Sequence, residues 1–277
     1  MTRNYYDDSR ARIYDAEHAG RDITTDDIPF YLDLARECHA KGLPVLELGA
    51  GTGRVTLPIA REGIDIIGLD NAGPMLDVAR ANAAGFDNVR WVQADMASFD
   101  LEQRFGLVII PFRSFLLLTT VAQQLSCLRA VYRHLVEGGR LALNFFNPDI
   151  AIIAAGLERG HLWERATPAP NHERWSRRRY DTAAQELQQD DIEHELTDAG
   201  AIITRIERNL RLRYVFRYEM QHLLSATGFT VDALYGWFDR RDFTSDSAEM
   251  VWIVSRKHCS RLDHIGSLYF KIRTNKA

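Results

Sequence analysis

The sequence predicts an α/β fold in which a mostly parallel sheet lies between two layers of helices. Residues 44–147 alternate strand-like and helix-like stretches about five times, as parallel strands joined by helical crossovers do. The first apolar run, Pro44 to Leu48, ends in three glycines at alternate positions, Gly49, Gly51 and Gly53. Acidic residues (Glu47, Asp70 and Asp95) fall at the carboxyl ends of three successive strands, the edge at which open parallel sheets bind ligands.

Each element has its own signal. Residues 4–26 are rich in Tyr, Asp and Arg, and their composition reads most simply as a surface helix with a polar loop. Thr24 to Asp27 offer N-cap residues for a helix running to about Ala40, with Phe30, Leu34 and Cys38 on one face. The strand at 44–48 enters the glycine turn, and a helix with Val55, Ile59 and Ala60 as apolar positions follows. Pro58 belongs in its first turn or at a local kink. Ile64 to Leu69 form the second strand, ending at Asp70, and Asn71 to Pro74 open a helix with proline near its first position. Val89 to Gln93 and Phe105 to Ile110 are the third and fourth strands, the latter apolar throughout as a strand buried on both faces should be. Val121, Leu125, Leu128, Tyr132 and Leu135 have helical spacing, and Glu137-Gly138-Gly139 ends that helix before a fifth strand, Arg140 to Phe146.

From Asn147 to about Ala169 the periodicity loosens. Glu173 to Tyr180, Asp191 to Leu196 and Ile202 to Phe216 then read as two or three antiparallel strands forming an insert, with period-2 alternation at Leu210 to Tyr214. Its arginines read most simply as a solvated face, and alternatively as recognition of an acidic substrate. A helix from Tyr218 to Thr227 and strands at Phe229 to Tyr235 and Glu249 to Val254 follow. This divides the chain into an N-terminal segment (1–40), a ligand-binding core (41–150), the insert (151–216), a closing helix and strands (217–257) and a basic tail (258–277) without an assigned role.

Composition narrows the function. A net charge of −4 over 277 residues argues against a dedicated nucleic-acid binder. No apolar run reaches membrane-spanning length and Met1 to Arg10 are polar, so neither a membrane partner nor a signal peptide is expected. Three scattered cysteines and nine histidines without HExxH spacing give no disulfide framework and no metal site, and a cytoplasmic setting is expected. Monomer and homodimer remain equally open.

The glycines exclude two familiar nucleotide sites. A dinucleotide turn needs G-x-G-x-x-G, and Arg54 fills the place of the third glycine. No Lys-Ser/Thr pair follows, so a phosphate-binding P-loop is ruled out. What remains is an acid, three alternate glycines, and further acids after strands two and three. Asp70 can accept from ribose hydroxyls, Asp95 can accept from an exocyclic amine, and Met96 can cover a ring face.

On these residues the chain resembles the class I S-adenosylmethionine-dependent methyltransferases, strongly over about 40–150 and by layout over 215–257. The motif runs Glu47-Leu48-Gly49-Ala50-Gly51-Thr52-Gly53, then Asp70, then Asp95-Met96, with Val108 to Phe115 after strand four. The resemblance implies a doubly wound, Rossmann-like sheet of seven strands, one of them antiparallel, with S-adenosylmethionine over the strand ends and S-adenosylhomocysteine as product. It implies an antiparallel β insert covering a small-molecule acceptor and the segment 1–40 folded over the site as a lid. It carries cofactor contacts onto Glu47, Gly49, Ala50, Gly51, Thr52, Gly53, Asp70, Asn71, Met75, Asp95, Met96, Pro111 and Phe112. Tyr14 and His18 are the candidate proton-handling groups, and Tyr5, Tyr6, Arg113, Trp163, Tyr235 and Trp237 are candidate acceptor contacts. The segment Pro111-Phe112-Arg113-Ser114 has no acid or amide before its proline, which sets the chain apart from base-amino methyltransferases and aminopropyltransferases of similar scaffold. The expected acceptor is an amine or hydroxyl of a metabolite or natural product. The rivals are a nicotinamide-dependent oxidoreductase, a non-catalytic cofactor-binding protein and a protein or peptide methyltransferase.

Overall fold

The computed structural model describes residues 2–3, 5–159, 162–165 and 171–256, so the tail at 258–277 lies outside the described residues. Elements follow in the order β1 (Thr2–Arg3), α1 (Asp8–His18), α2 (Asp22–His39), β2 (Val45–Leu48), α3 (Thr56–Arg61), β3 (Ile66–Asp70), α4 (Gly73–Asn82), β4 (Val89–Gln93), β5 (Phe105–Ile110), α5 (Val121–His134) and β6 (Leu135–Phe146). They continue with α6 (Ile150–Arg159), β7 (Glu164–Arg165), β8 (His172–Asp181), β9 (Glu186–Leu196), β10 (Ile202–Arg213), α7 (Arg217–Ala226), β11 (Phe229–Tyr235) and β12 (Glu249–Arg256). No helix among the described residues is long and apolar enough to cross a membrane.

Seven strands form the main sheet in the order β11-β12-β6-β5-β2-β3-β4. The pairings from β4 to β6 are parallel, and β12 runs antiparallel to both β6 and β11. The sheet is therefore doubly wound with one reversed strand, as the resemblance implied. Alternation along β5 explains its unbroken apolar sequence. Val108 and Ile110 join the cluster beneath α5 and α7, while Leu107 and Ile109 join the cluster beneath α2 and α3. All four are fully buried, and each such side chain contributes about 1.5–3 kcal/mol of hydrophobic stabilisation.

The insert is a second sheet, ordered β1-β10-β9-β8-β7. Its long strands β8, β9 and β10 are antiparallel, and β1 joins β10 in parallel, so the N-terminus is sewn into the insert.

Several boundaries differ from the sequence reading. Helix α2 begins at Asp22, and the hydroxyls of Thr24 and Thr25 donate back to the Arg21 carbonyl at 2.9 and 3.1 Å instead of capping a later start. Pro58 sits in the first turn of α3, where its missing N–H costs nothing. Strand β6 starts at Leu135, and Glu137 to Gly139 form an irregularity within its pairing to β5 rather than a gap before it. The loosened stretch after Asn147 contains α6, of sequence IAIIAAGLER, which buries Ile153 and leaves Ile150, Ile152 and Leu157 exposed. Gly156 lets α6 lie close on β8, because a Cβ there would meet the Tyr180 ring at 2.3 Å.

The N-terminal segment is not a surface helix. Arg10 and Ala11 of α1 are each only 2% exposed. The insert's arginines are not simply a solvated face either: the Arg208 side chain is fully buried and that of Arg213 nearly so, both held by acidic partners.

Candidate active site

The site is built on the turn after β2. Gly49, Gly51 and Gly53 have φ of 74°, 55° and 88°, the left-handed region that glycine enters without penalty. Gly49 is also sterically required, since a Cβ there would lie 2.7 Å from the Ser114 side chain. The Gly49 and Ala50 N–H groups donate to the Leu69 carbonyl at 2.8 and 3.0 Å, which fixes the turn against β3. Asp70, at the end of β3, accepts from the Gly51 and Ala72 N–H groups, each at 2.8 Å. Both oxygens are thereby oriented, with lone pairs left for hydroxyl donors. Burial pushes the Asp70 carboxyl up and those N–H groups pull it down. Asp95 is held in the same way by the Ala97 N–H at 2.8 Å.

A cleft of about 140 Å³ opens here, lined by Gly49, Gly51, Asp70, Asn71, Met75, Asp95 and Met96, all expected from the sequence. Ser114, Leu117, Leu118 and Gln123 line it as well and were missed. Gln123 had a signal: Thr120 and Gln123 form a reciprocal capping box at the start of α5, a pattern readable as Thr-x-x-Gln. Ser114 lay within the quoted segment after strand four, and it reaches the cleft because the left-handed Phe112 and Arg113 turn the chain into a short 3-10 helix, Ser114–Leu117. Ala50, Thr52, Gly53, Pro111 and Glu47 do not line the cleft. Glu47 points to the opposite face of the sheet from Leu46 and Leu48. It is buried beneath the turn, where it accepts from the Thr56 hydroxyl. Burial raises its carboxyl to about 8, so it is protonated at neutral pH rather than a carboxylate at the mouth of the turn.

A larger cavity of about 960 Å³ lies between α1, α6 and the insert. The two chambers share Tyr6, Tyr14, Ser114 and Leu117. Burial raises both tyrosines, so their phenols keep their protons. Tyr5, Phe112, Arg113 and His18 line the larger cavity. The His18 ring stacks 4.2 Å from Tyr14 and meets Phe112 edge-on at 5.3 Å. Its Nδ1–H donates to the Tyr14 carbonyl at 2.7 Å. Burial lowers His18 to about 4, assisted by Arg21, Arg10 and Arg174, so the ring is neutral at pH 7. Trp163, Tyr235 and Trp237 line neither cavity. Trp163 lies under the Arg177 guanidinium at 4.7 Å, while Tyr235 and Trp237 pack on the cluster beneath α2, with the Trp237 indole donating to Asp26 at 2.7 Å.

Helix α1 is fixed over the junction from both sides. Tyr6, Ala11 and Tyr14 pack against Ala72 and Met75, and Asp15 accepts from the Thr52 hydroxyl at 2.5 Å. Toward the insert, Arg10 pairs with Glu193 at 2.9 Å and Glu17 at 3.0 Å, Arg174 pairs with Glu17 at 3.0 Å, and Arg208 pairs with Asp7 at 3.2 Å.

The segment after β5 is held by one amide. Phe112 and Arg113 both have left-handed backbone, with φ of 53° and 67°. The Asn144 Oδ1 accepts from the Phe112 N–H and the Tyr31 hydroxyl, both at 2.9 Å, and its Nδ2 donates to the buried Glu249 at 3.0 Å. Glu249 also receives Arg113. Arg113 is thus committed to an ion pair at the cavity wall.

Comparisons with known proteins agree with this geometry. Residues 45–139 match a family described as a methyltransferase domain. The fold is similar to the CcbJ methyltransferase from Streptomyces caelestis, with a TM-score of 0.76 and 28% identity over 92% of this chain and 99% of that one. Among curated proteins, the cypemycin N-terminal methyltransferase of a Streptomyces species is 29% identical over 39% of this chain and 43% of its own length. The demethylmenaquinone methyltransferase of Thermus thermophilus is 36% identical over 42% of this chain and 52% of its own. The matched stretch thus spans about half the length of these curated relatives. The domain match opens on the strand that leads into the glycine turn, and the likeness to a methyltransferase structure runs nearly end to end, so residues 45–139 match a methyltransferase domain and the chain as a whole is similar to the class I S-adenosylmethionine-dependent methyltransferases.

Proposed function

We propose that this chain transfers the methyl group of S-adenosylmethionine to the nitrogen of a small-molecule amine held in the larger cavity. The observation that carries this reading is the meeting of the two chambers at Tyr6, Tyr14, Ser114 and Leu117 under a docked α1. The residues of the smaller cleft fit the cofactor: glycines without Cβ atoms, an oriented carboxylate at Asp70, a second at Asp95, and Met75 and Met96 as soft apolar walls. The cofactor supplies an electrophilic methyl group on a cationic sulfur. Asp70 accepts from hydroxyls, Asp95 accepts from an amino group, and Tyr6 and Tyr14 exclude water where donor and acceptor meet.

The acceptor's chemistry follows from what His18 can do. A hydroxyl needs a base to remove its proton, and a ring lowered to about 4 is a weak one. A neutral amine needs only its lone pair, and positioning then supplies the rate. The curated N-terminal methyltransferase of cypemycin, an amine-modifying relative by its name, favours the same reading.

Incubation of the full chain with methyl-labelled cofactor and matched panels of small amines and alcohols tests this. Label is expected in the amines, and His18→Ala should hold kcat on an amine within about threefold while shifting KM. Cofactor binding with no turnover on any acceptor would favour the non-catalytic alternative. A loss of kcat beyond a hundredfold in His18→Ala would make His18 a base and the acceptor a hydroxyl.

A further inference from the structure

The wall of the larger cavity carries more cationic than anionic charge. Arg10, Arg21, Arg113, Arg174 and Arg178 line it, against Asp149 and Asp246. Both acids are engaged locally: Asp149 accepts from the Ala151 and Ile152 N–H groups at the start of α6, and Asp246 accepts from Ser245. Arg113 is taken by Glu249. Arg10 is taken by Glu193 and Glu17, and Arg174 has the carboxylate of Glu17, which it shares with Arg10. Among the described residues, Arg178 has only the neutral Gln189 amide, at 3.1 Å. The Arg21 guanidinium makes no ion pair or hydrogen bond among the described residues, although Arg174, Glu17 and Arg10 are its electrostatic neighbours. The Arg10 side chain is 3% exposed, yet among the described residues its Nε–H has no acceptor, and neither has that of Arg174.

We propose that the acceptor carries an oxyanion, a carboxylate or a phosphate, received by Arg21 with Arg174 and Arg178. This rests on the amine-methyltransferase reading and names the class of its substrate. The planar fork of a guanidinium matches the oxygens of either anion. The same wall also carries Ile150, Ile152, Leu187, Leu210 and Leu212, beside neutral polar groups such as Asn147, Gln189 and Ser247, so the acceptor pairs its anionic group with a body that is apolar in part. The arrangement also serves the reaction. Burial, and after it the neighbouring arginines, lower His18, and the same surroundings disfavour protonation of an amine in that chamber and keep its lone pair available. The arginines repel a sulfonium as well, and the acceptor's anion offsets that repulsion.

Equilibrium titration of the full chain loaded with S-adenosylhomocysteine tests the proposal. The probes are 4-phenylbutanoate, phenyl phosphate and uncharged 4-phenylbutanamide. At least one anion should bind tenfold or more tightly than the amide, with a preference that shrinks as salt rises, and the two anions tell carboxylate from phosphate. Arg21→Gln combined with Arg178→Gln should reduce anion affinity at least tenfold while amide and S-adenosylhomocysteine affinities stay within about twofold, which also certifies the fold. Equal binding of acid and amide, absence of anion binding at millimolar concentration, or an anion preference that survives both substitutions would overturn it. If S-adenosylhomocysteine binds normally in those cases, the methyltransferase reading stands and only the anionic acceptor falls. If S-adenosylhomocysteine does not bind the unmodified chain, both fall.

Discussion

Asp70 and Glu47 stand one strand apart and carry the same functional group, yet the fold gives them different partners and different faces of the sheet. Asp70 receives two backbone N–H groups and faces the cleft, so its remaining lone pairs are aimed at a ligand. Asp70→Ala should lower S-adenosylhomocysteine affinity tenfold or more in calorimetry, the scale expected for lost hydrogen bonds to a charged acceptor, with the thermal transition of the sheet retained. Unchanged affinity would remove Asp70 from the site. Glu47 faces away, buried with Thr56, and titrates near 8 instead of its ordinary 4.5. Between those two values the folded chain holds a proton that the unfolded chain has released. Its contribution is therefore complete below the unfolded value and is lost as pH rises through the folded one, by at most about 1.4 kcal/mol per pH unit. Glu47→Gln, which mimics the protonated acid, should flatten the decline in denaturation midpoint between about pH 5 and 8. A slope equal to that of the unmodified chain would show that Glu47 is ionised throughout.

At the scale of elements, α1 shows how the site is closed. Its apolar contacts are few: Ala11, with Tyr6 and Tyr14 on Ala72 and Met75. Its contacts to the insert are ionic and buried, with Arg10 and Arg208 gathered around Glu193. Breaking one partner of such a cluster leaves uncompensated buried charge, at a cost of about 3–5 kcal/mol. Glu193→Gln should therefore loosen α1 and β8 to β10 together, seen as faster hydrogen exchange in both while β2 to β6 keep their protection. Unaltered exchange in α1 would mean that its docking depends on the apolar contacts alone. None of this ionic docking was readable from the sequence, because an arginine's partner across the fold leaves no periodic trace. Helix α6 was hidden for a different reason: Ile150, Ile152 and Leu157 are apolar yet exposed, so its apolar positions do not mark the buried face. Strands β2 to β6, α5 and α7 were legible because each buries a face or a whole strand in a period the sequence repeats. The three acids were legible as strand-end residues. Which of them reaches the cleft was not, since one residue's shift along β2 turns Glu47 to the other face.

The whole molecule couples two sheets through its N-terminus. The main sheet has its own apolar clusters on both faces, built from α2, α3, α5 and α7 without α1. The insert reaches α1 through Glu193, Arg174 and Arg208, and β1 through its pairing with β10. The first twenty residues are thus a strap between the cleft and the cavity, and their removal should act on function before stability. A chain beginning at residue 21 keeps α2 and both main clusters, so its thermal midpoint should fall by only a few degrees. It loses Tyr6 and Tyr14, the residues that close the junction, and His18. Water then enters where methyl transfer takes place, and the reactants are no longer held to one geometry, an effect worth orders of magnitude in rate. Turnover on an amine should drop more than a hundredfold, while S-adenosylhomocysteine affinity falls less, because Asp70, Asp95 and the glycine turn remain in place. Full activity in the truncated chain would mean that the junction closes without α1. An equal loss of activity and of the main thermal transition would mean that α1 holds up the sheet itself, which its position outside both main clusters argues against.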